Sequence, residues 1–410
     1  MKVCINKHKA FFVLFAATLL TDAYCITTIG NRNITLFYPV FLFYVLFVLL
    51  NPNDLIKSSR NNIFPLVMIV YMLINFIFTD GEFSSLIISE LLWGLYLISY
   101  RKISISQFNK NVDAYQTFID ILSIYGIYQF IAHMFNLPFA DIHIPNHMST
   151  GYNWGNDIVI AGYTFRRSNA IFREPSFFSQ FISINLLIYI SKIIQPQGRN
   201  KRKNYIWMMM NIAALVLTFS GTGILILIGG IVIYIITDQS KEIIQYVKHH
   251  LLLVLTIAIV LFVLIFTNNA ISSYFWGRLS EFNSSNVESI SAYIRFIKPY
   301  QATAEILREH PVLGLGIGKS FNYITASVGN LNNALAVALP RSFAELGLIG
   351  GFIYVFFMIK AVRKKNLIFS SYRAILIGVY LMTFMHGTWS SEIYWLFLSL
   401  LNVELCKNNR

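Results

Sequence analysis

Apolar runs long enough to cross a bilayer recur along the chain, and that feature limits the possible folds more than any motif does. Each run is about 17 to 20 residues, the length a helix needs to span a hydrocarbon core of roughly 30 Å. Barrel strands would be about half as long and would alternate polar with apolar residues. Hydrophobic residues make up 56% of the 410 positions and charged residues 12%, with a mean hydropathy of +0.58, too little polar surface to wrap a soluble globule. The pattern therefore predicts an all-α polytopic membrane protein of about twelve spans, with residues 1–410 forming one transmembrane domain. The spans are placed at 10–28, 34–50, 63–79, 84–100, 117–135, 176–194, 205–219, 223–237, 250–267, 342–360, 371–387 and 390–405. Ser220-Gly-Thr-Gly223 marks the turn inside the closest pair, since glycine tolerates the positive φ that closing a helical hairpin often needs.

A net charge of +13 raises the question of nucleic acid, but the basic residues lie between apolar spans and form no single patch or recognised motif. Positive-inside anchoring explains them. With the N-terminus inside, 22 of the 32 basic residues fall on the cytoplasmic side, and the short outer loops hold only Arg32. The rest sit in two long outer segments, 136–175 and 268–341, where the rule has little force. Both termini are expected in the cytoplasm. Lys2, Lys7 and Lys9 before an apolar run from Ala10 resemble a signal peptide, yet Asp22-Ala-Tyr-Cys25 suits neither a cleavage site nor a lipoprotein site, so a retained first span is expected. Cys4, Cys25 and Cys406 show no metal-ligand or disulfide spacing and read as structural.

Loops as long as the two outer segments are usually functional or disordered, and aromatic residues such as Trp154, Phe165, Trp276 and Tyr300 argue for order. Stretch 291–309 reads as an amphipathic interfacial helix, with Ile294, Ile297, Ala304 and Leu307 as its apolar contacts.

Three constellations could carry chemistry. Arg166, Arg167 and Arg173, followed by Glu174-Pro175-Ser176, stand where the sixth span begins on the outer side. Pro175 suits the first turn, Glu174 or Ser176 can cap, and the free N–H groups with nearby guanidinium groups suit a phosphate or pyrophosphate. Equally, this is an ordinary capped helix whose arginines reach lipid phosphates. The second is His310-Pro-Val-Leu-Gly-Leu-Gly-Ile-Gly318; it lacks the context of a nucleotide-binding loop, which leaves a loop dipping toward the membrane or one packed plainly on the bundle. The third is Arg341 and Glu345, one turn apart at the start of the tenth span, spaced either to pair with each other or to act in catalysis. Gly347, Gly350 and Gly351 beside them suit close helix packing. His386 and Glu392 lie near the outer surface and read as a wetted turn.

Arg167 to Ser176, Pro311 to Gly318 and Glu345 to Gly350, in that order and on that side of the membrane, resemble the motifs of the O-antigen polymerase and ligase superfamily of glycosyltransferases. Ala170 stands where that family commonly has glycine. Ala336-Val337 stands where its ligases carry a His-Asn pair, so the resemblance favours a polymerase over a ligase. It implies a GT-C-like helical enzyme that joins oligosaccharide units carried on undecaprenyl pyrophosphate, at the outer face of a bacterial inner membrane. No cofactor, metal or nucleic acid is implied, and a chain-length regulator is a possible partner. Arg166, Arg167, Arg173, Arg295 and Arg341 are the expected pyrophosphate contacts. Glu174 is the first choice of catalytic base, with Asp157, His310 and Glu345 as alternatives. A flippase would place more charge within its spans, and a non-catalytic assembly subunit would not need the arginine set.

Overall fold

A computed structural model describes residues 23–29, 32–49, 63–144, 147–148, 157–160, 163–194, 201–237, 293, 297–321, 324–325, 329–330, 337–361, 364–385 and 392–406. The expected span 250–267, Arg295, Trp154 and His386 lie outside these residues. The chain divides into two compact units, one of residues 1–113, 294–372 and 379–410, the other of residues 114–293 and 373–378.

Among the described residues the first unit has a hairpin of β1 (Thr27–Ile29) and β2 (Arg32–Ile34), then α1 (Phe37–Leu49), α2 (Ile63–Thr79) and α3 (Phe83–Ser99). The expected helix 10–28 therefore does not reach its predicted end, because the β-branched Thr27-Thr28-Ile29 run pairs as a strand instead. Helix α2 keeps its predicted bounds and turns Val70 and Ile77 outward, as lipid contact requires, while Met68, Tyr71, Met72 and Asn75 face the packed side. Strand β3 (Arg101–Ser104) pairs in parallel with β6 (Val403–Cys406).

Also in this unit are α8 (Lys298–Glu309), α9 (Ala338–Ala361) and α11 (Glu392–Leu401). Its core is aromatic: Trp93 of α3 lies 4.4 Å from Trp395 and 4.6 Å from Phe357 between ring centroids. Helix α8 buries Pro299, Ala302, Thr303 and Ile306, whereas the expected contact Ala304 faces outward; Ile294 lies outside the described residues. Docking on α9, where the Thr303 hydroxyl donates to Pro340 O at 3.0 Å, sets a different face from the predicted one.

In the second unit α5 (Pro175–Ile194) is packed along most of its length by α6 (Lys201–Leu217) and α7 (Gly221–Thr237). Ser179 comes so close to α7 that a Cβ on Gly223 would lie 2.5 Å from it. The turn before α7 places its positive φ on Phe219 (47°) and not on a glycine. A hairpin of β4 (Asp157–Ile160) and β5 (Tyr163–Arg166) precedes α5. Helix α4 (Ile105–Phe135), divided between the units after Asp113, runs 31 residues, twelve more toward its N-terminus than the apolar run 117–135 suggested. Its first turns are polar, and Ser104 Oγ caps them by accepting the Gln107 N–H at 3.2 Å. Among the described residues α4, α5 and α9 are long and apolar enough to cross a membrane, and α2, α3, α7 and α10 (Ser370–Met385) are shorter apolar helices.

Candidate functional site

In the first unit, the second and third sequence motifs form one joint. Helix α9 is interrupted at Gly347 (φ 66°, ψ −170°), a conformation open in practice only to glycine. Such a break leaves carbonyl and N–H groups without helical partners, a costly state among apolar helices. Residues 311–316 supply the missing partners. Leu315 N–H donates to Ala344 O (2.9 Å), Gly316 N–H donates to Glu345 O (3.0 Å), and Pro311 O accepts the Leu348 N–H (2.9 Å). The Tyr71 hydroxyl of α2 donates to Leu346 O at 2.6 Å.

Gly314 must be glycine on two counts: its φ is +70°, and a Cβ there would lie 2.5 Å from Gly347 N. Asn75 of α2 clamps the loop from below, donating to Leu313 O (2.6 Å) and accepting the Ile317 N–H (3.2 Å).

Above this joint Arg341 Nε and Nη2 both lie 2.8 Å from Glu345 Oε1, which also accepts the Ser320 hydroxyl at 2.5 Å. Arg341 is 4% exposed and Glu345 1%, so this guanidinium is committed to an internal partner. His310 ends α8, its N–H donating to Ile306 O at 2.8 Å, and its side chain lines a cleft of 640 Å³. Phe78, Thr79, Glu82, Gly314, Leu315 and Lys319 line the same cleft. Lys319 and Ser320 follow the glycines directly in a 3-10 turn; Lys319 Nζ donates to Thr79 O at 2.6 Å.

In the second unit the loop before α5 is organised by the buried amide of Gln129 on α4. Its Oε1 accepts the N–H of Asn169 (3.0 Å) and of Ala170 (2.8 Å), and its Nε2 donates to Asn169 Oδ1 (3.0 Å) and Asp141 Oδ1 (3.2 Å). Ala170, where the resembling family uses glycine, has φ +50°. Phe172 then turns into the core, stacked 4.9 Å from Phe181.

The three arginines of the motif separate here. Arg166 Nη2 pairs with Asp141 Oδ2 at 3.2 Å, and Asp141 also meets His133 Nε2 at 3.3 Å. Arg167 Nε donates to Thr218 O at 3.0 Å. Arg173 is half-buried, its guanidinium 5.2 Å from the centroid of the Phe177 ring, one residue before the helix cap. Glu174 accepts the Ser176 hydroxyl at 2.9 Å on Oε2, and its carbonyl accepts the Phe177 and Phe178 N–H groups, with Pro175 at the first helical position as expected. Asp157 is exposed on β4, in register with Arg166.

Sequence reading did not single out Gln129, Asp141, His133, Asn75, Glu82, Lys319 or Ser320. Asn75 and Gln129 carried a signal, since each is a polar amide inside an apolar span. Among the described residues no group of three or more His, Cys, Asp or Glu is arranged to hold a metal ion.

A family model described as WcaD colanic acid polymerase matches residues 13–407, almost the whole chain. A search of curated proteins found no match.

Proposed function

The chain belongs to the WcaD colanic acid polymerase family, a glycosyltransferase that joins repeat units into polysaccharide, and from that premise we propose where and how it does so. The units arrive on undecaprenyl pyrophosphate at the outer face of the inner membrane, and the donor pyrophosphate binds at the N-terminus of α5. The observation that carries this reading is Arg173: half-buried, its guanidinium over the Phe177 ring, two residues before the first helical position of a 20-residue apolar helix whose dipole favours an anion there. A hydroxyl of the acceptor sugar attacks the anomeric carbon of the donor. The bond from that carbon to the pyrophosphate oxygen breaks, and its electron pair leaves with the phosphate. Arg173 meets the charge that develops there, a task suited to a fixed guanidinium fork in a partly dry site. The hydroxyl proton passes to Glu174, beside Arg173 and oriented by Ser176.

The outer location is supported by three segments that the charge rule assigns to that side: the α2–α3 turn, the glycine loop and the start of α9. All meet in one joint, where Glu82 N–H donates to Ile317 O at 2.8 Å and Leu315 N–H to Ala344 O at 2.9 Å. Strand β3, assigned to the cytoplasmic side, likewise pairs with β6, which forms where the last predicted span was expected to reach that side as a helix. Reporter fusions after Lys203 and Lys365 are expected to behave as cytoplasmic, and fusions within 141–165 as exported; an exported signal after Lys203 breaks this topology.

The function is tested in a deletion strain complemented at matched membrane abundance. Without the protein, surface polysaccharide is expected to carry a single repeat unit; loss of even that unit points to a ligase or flippase. Arg173→Ala is expected to leave the single unit, and Arg173→Lys to restore a shortened ladder, because lysine keeps the charge and loses the fork. A normal ladder from Arg173→Ala overturns the assignment.

A further inference from the structure

We infer that the cleft of the first unit is a saccharide-binding site, which takes sugar rings of the acceptor chain; this rests on the polymerase reading. The cleft holds 640 Å³, within the roughly 300–1,000 Å³ typical of small-molecule sites, and has room for a short oligosaccharide. Its lining matches a polyol better than an ion. Glu82 and Lys319 bring opposite charges to the same space, so a free anion meets a carboxylate and a free cation meets an ammonium. A sugar hydroxyl, which both donates and accepts, is served by each of them, by His310 and by Thr79. Phe78 adds the apolar surface that the C–H face of a sugar ring needs; it stands 73% exposed at the rim.

The site is held rigid from beneath, the condition for binding a flexible, well-hydrated ligand at low entropic cost. Its lining residue Leu315 is bonded to α9 through Ala344 O, and Asn75 pins both ends of the loop. Lys319 is aimed by its bond to Thr79 O, and Glu82 is steadied by the Ser85 hydroxyl at 3.1 Å. By the charge rule the α2–α3 turn opens outward, so the cleft faces the compartment in which lipid-linked sugars are displayed.

The test uses the purified full-length chain in nanodiscs. The probe is the lipid-free repeat-unit oligosaccharide, released by mild acid from the host's lipid-linked pool and followed by saturation-transfer NMR titration. The wild type is expected to bind it, and Glu82→Gln, Lys319→Met and His310→Gln to bind about tenfold more weakly, as expected when one charged or polar partner of a hydroxyl is lost. Arg173→Ala is expected to bind the lipid-free probe as the wild type does, because its ligand is the absent pyrophosphate.

Phe78→Ala removes an exposed ring without opening the core, and its expected weakening keeps the test valid if Lys319→Met fails to accumulate. Binding unchanged in Glu82→Gln and Phe78→Ala, or no binding by the wild type, overturns the assignment. The polymerase reading is judged separately, by whether the same wild-type preparation extends lipid-linked units into a ladder. A ladder from the wild type with unchanged binding in the cleft variants removes the saccharide site and leaves the polymerase standing.

Discussion

At Gly347 the irregular backbone is closed mainly by other backbone, whereas the N–H groups of Asn169 and Ala170 are both taken by one side chain, Gln129. The first arrangement leans on side chains only at its margins, where Tyr71 meets Leu346 O and Asn75 holds the loop, and at Gly314 and Gly347 its tolerance is set by space. Atoms at Gly314 and Gly347 already stand so close that a methyl group on either meets peptide atoms. In the second, two neighbouring N–H groups depend on one buried amide. Arginine behaves differently in the two places as well. Arg341 is sealed against Glu345, while Arg173 keeps part of its surface open beside a helix N-terminus. An arginine in a motif is therefore read by what surrounds its guanidinium and not by its presence.

The comparison breaks first at Gly347→Ala. Strain in a glycine-only region and a methyl group driven against Val312 O together cost about 3 to 6 kcal/mol, and folded protein is expected to be nearly lost from membranes. Fluorescence-detected size exclusion of the solubilised protein measures this; a monodisperse peak of normal height refutes the backbone lock.

Glu345→Gln comes next, at about 3 to 5 kcal/mol, because the buried Arg341 charge is left uncompensated. The double change Arg341→Met with Glu345→Leu is expected to recover most of that loss in a thermal melt. A normal polysaccharide ladder from the folded double variant makes the pair structural, and a missing ladder gives it a part in the reaction.

The smallest expected effect is Gln129→Leu. It strands the N–H groups of Asn169 and Ala170 for about 2 to 3 kcal/mol, and is expected to lower the melting temperature and shorten the ladder together. Unchanged melting would show that water replaces the amide.

Much of the helical outline was legible because uninterrupted apolar runs fix it: α2 lies at 63–79 as read, and α3 and α5 lie within one residue of the reading at each end. The first turns of α4 were not legible, since their Gln, Asn and Lys residues favour no membrane and give hydropathy nothing to follow. The buried face of α8 was misread because its docking partner, and not its own periodicity, chooses between adjacent stripes. Both glycine motifs were visible as motifs, but their joining depends on a φ at Gly347 and on carbonyls that a string of letters does not display. Ala170 was visible as a departure from glycine; the structure adds that its left-handed backbone is kept at a cost of roughly 1 kcal/mol.

The interrupted helix also bears on heredity. Residues 311–318 and 345–350 are separate in the gene, yet each shapes the surface that the other must fit, so a change in one is expected to demand a matching change in the other. A recombinant that draws the first segment from one parent and the second from another inherits two halves of a lock cut for different keys, while a recombinant that exchanges both together inherits a working one.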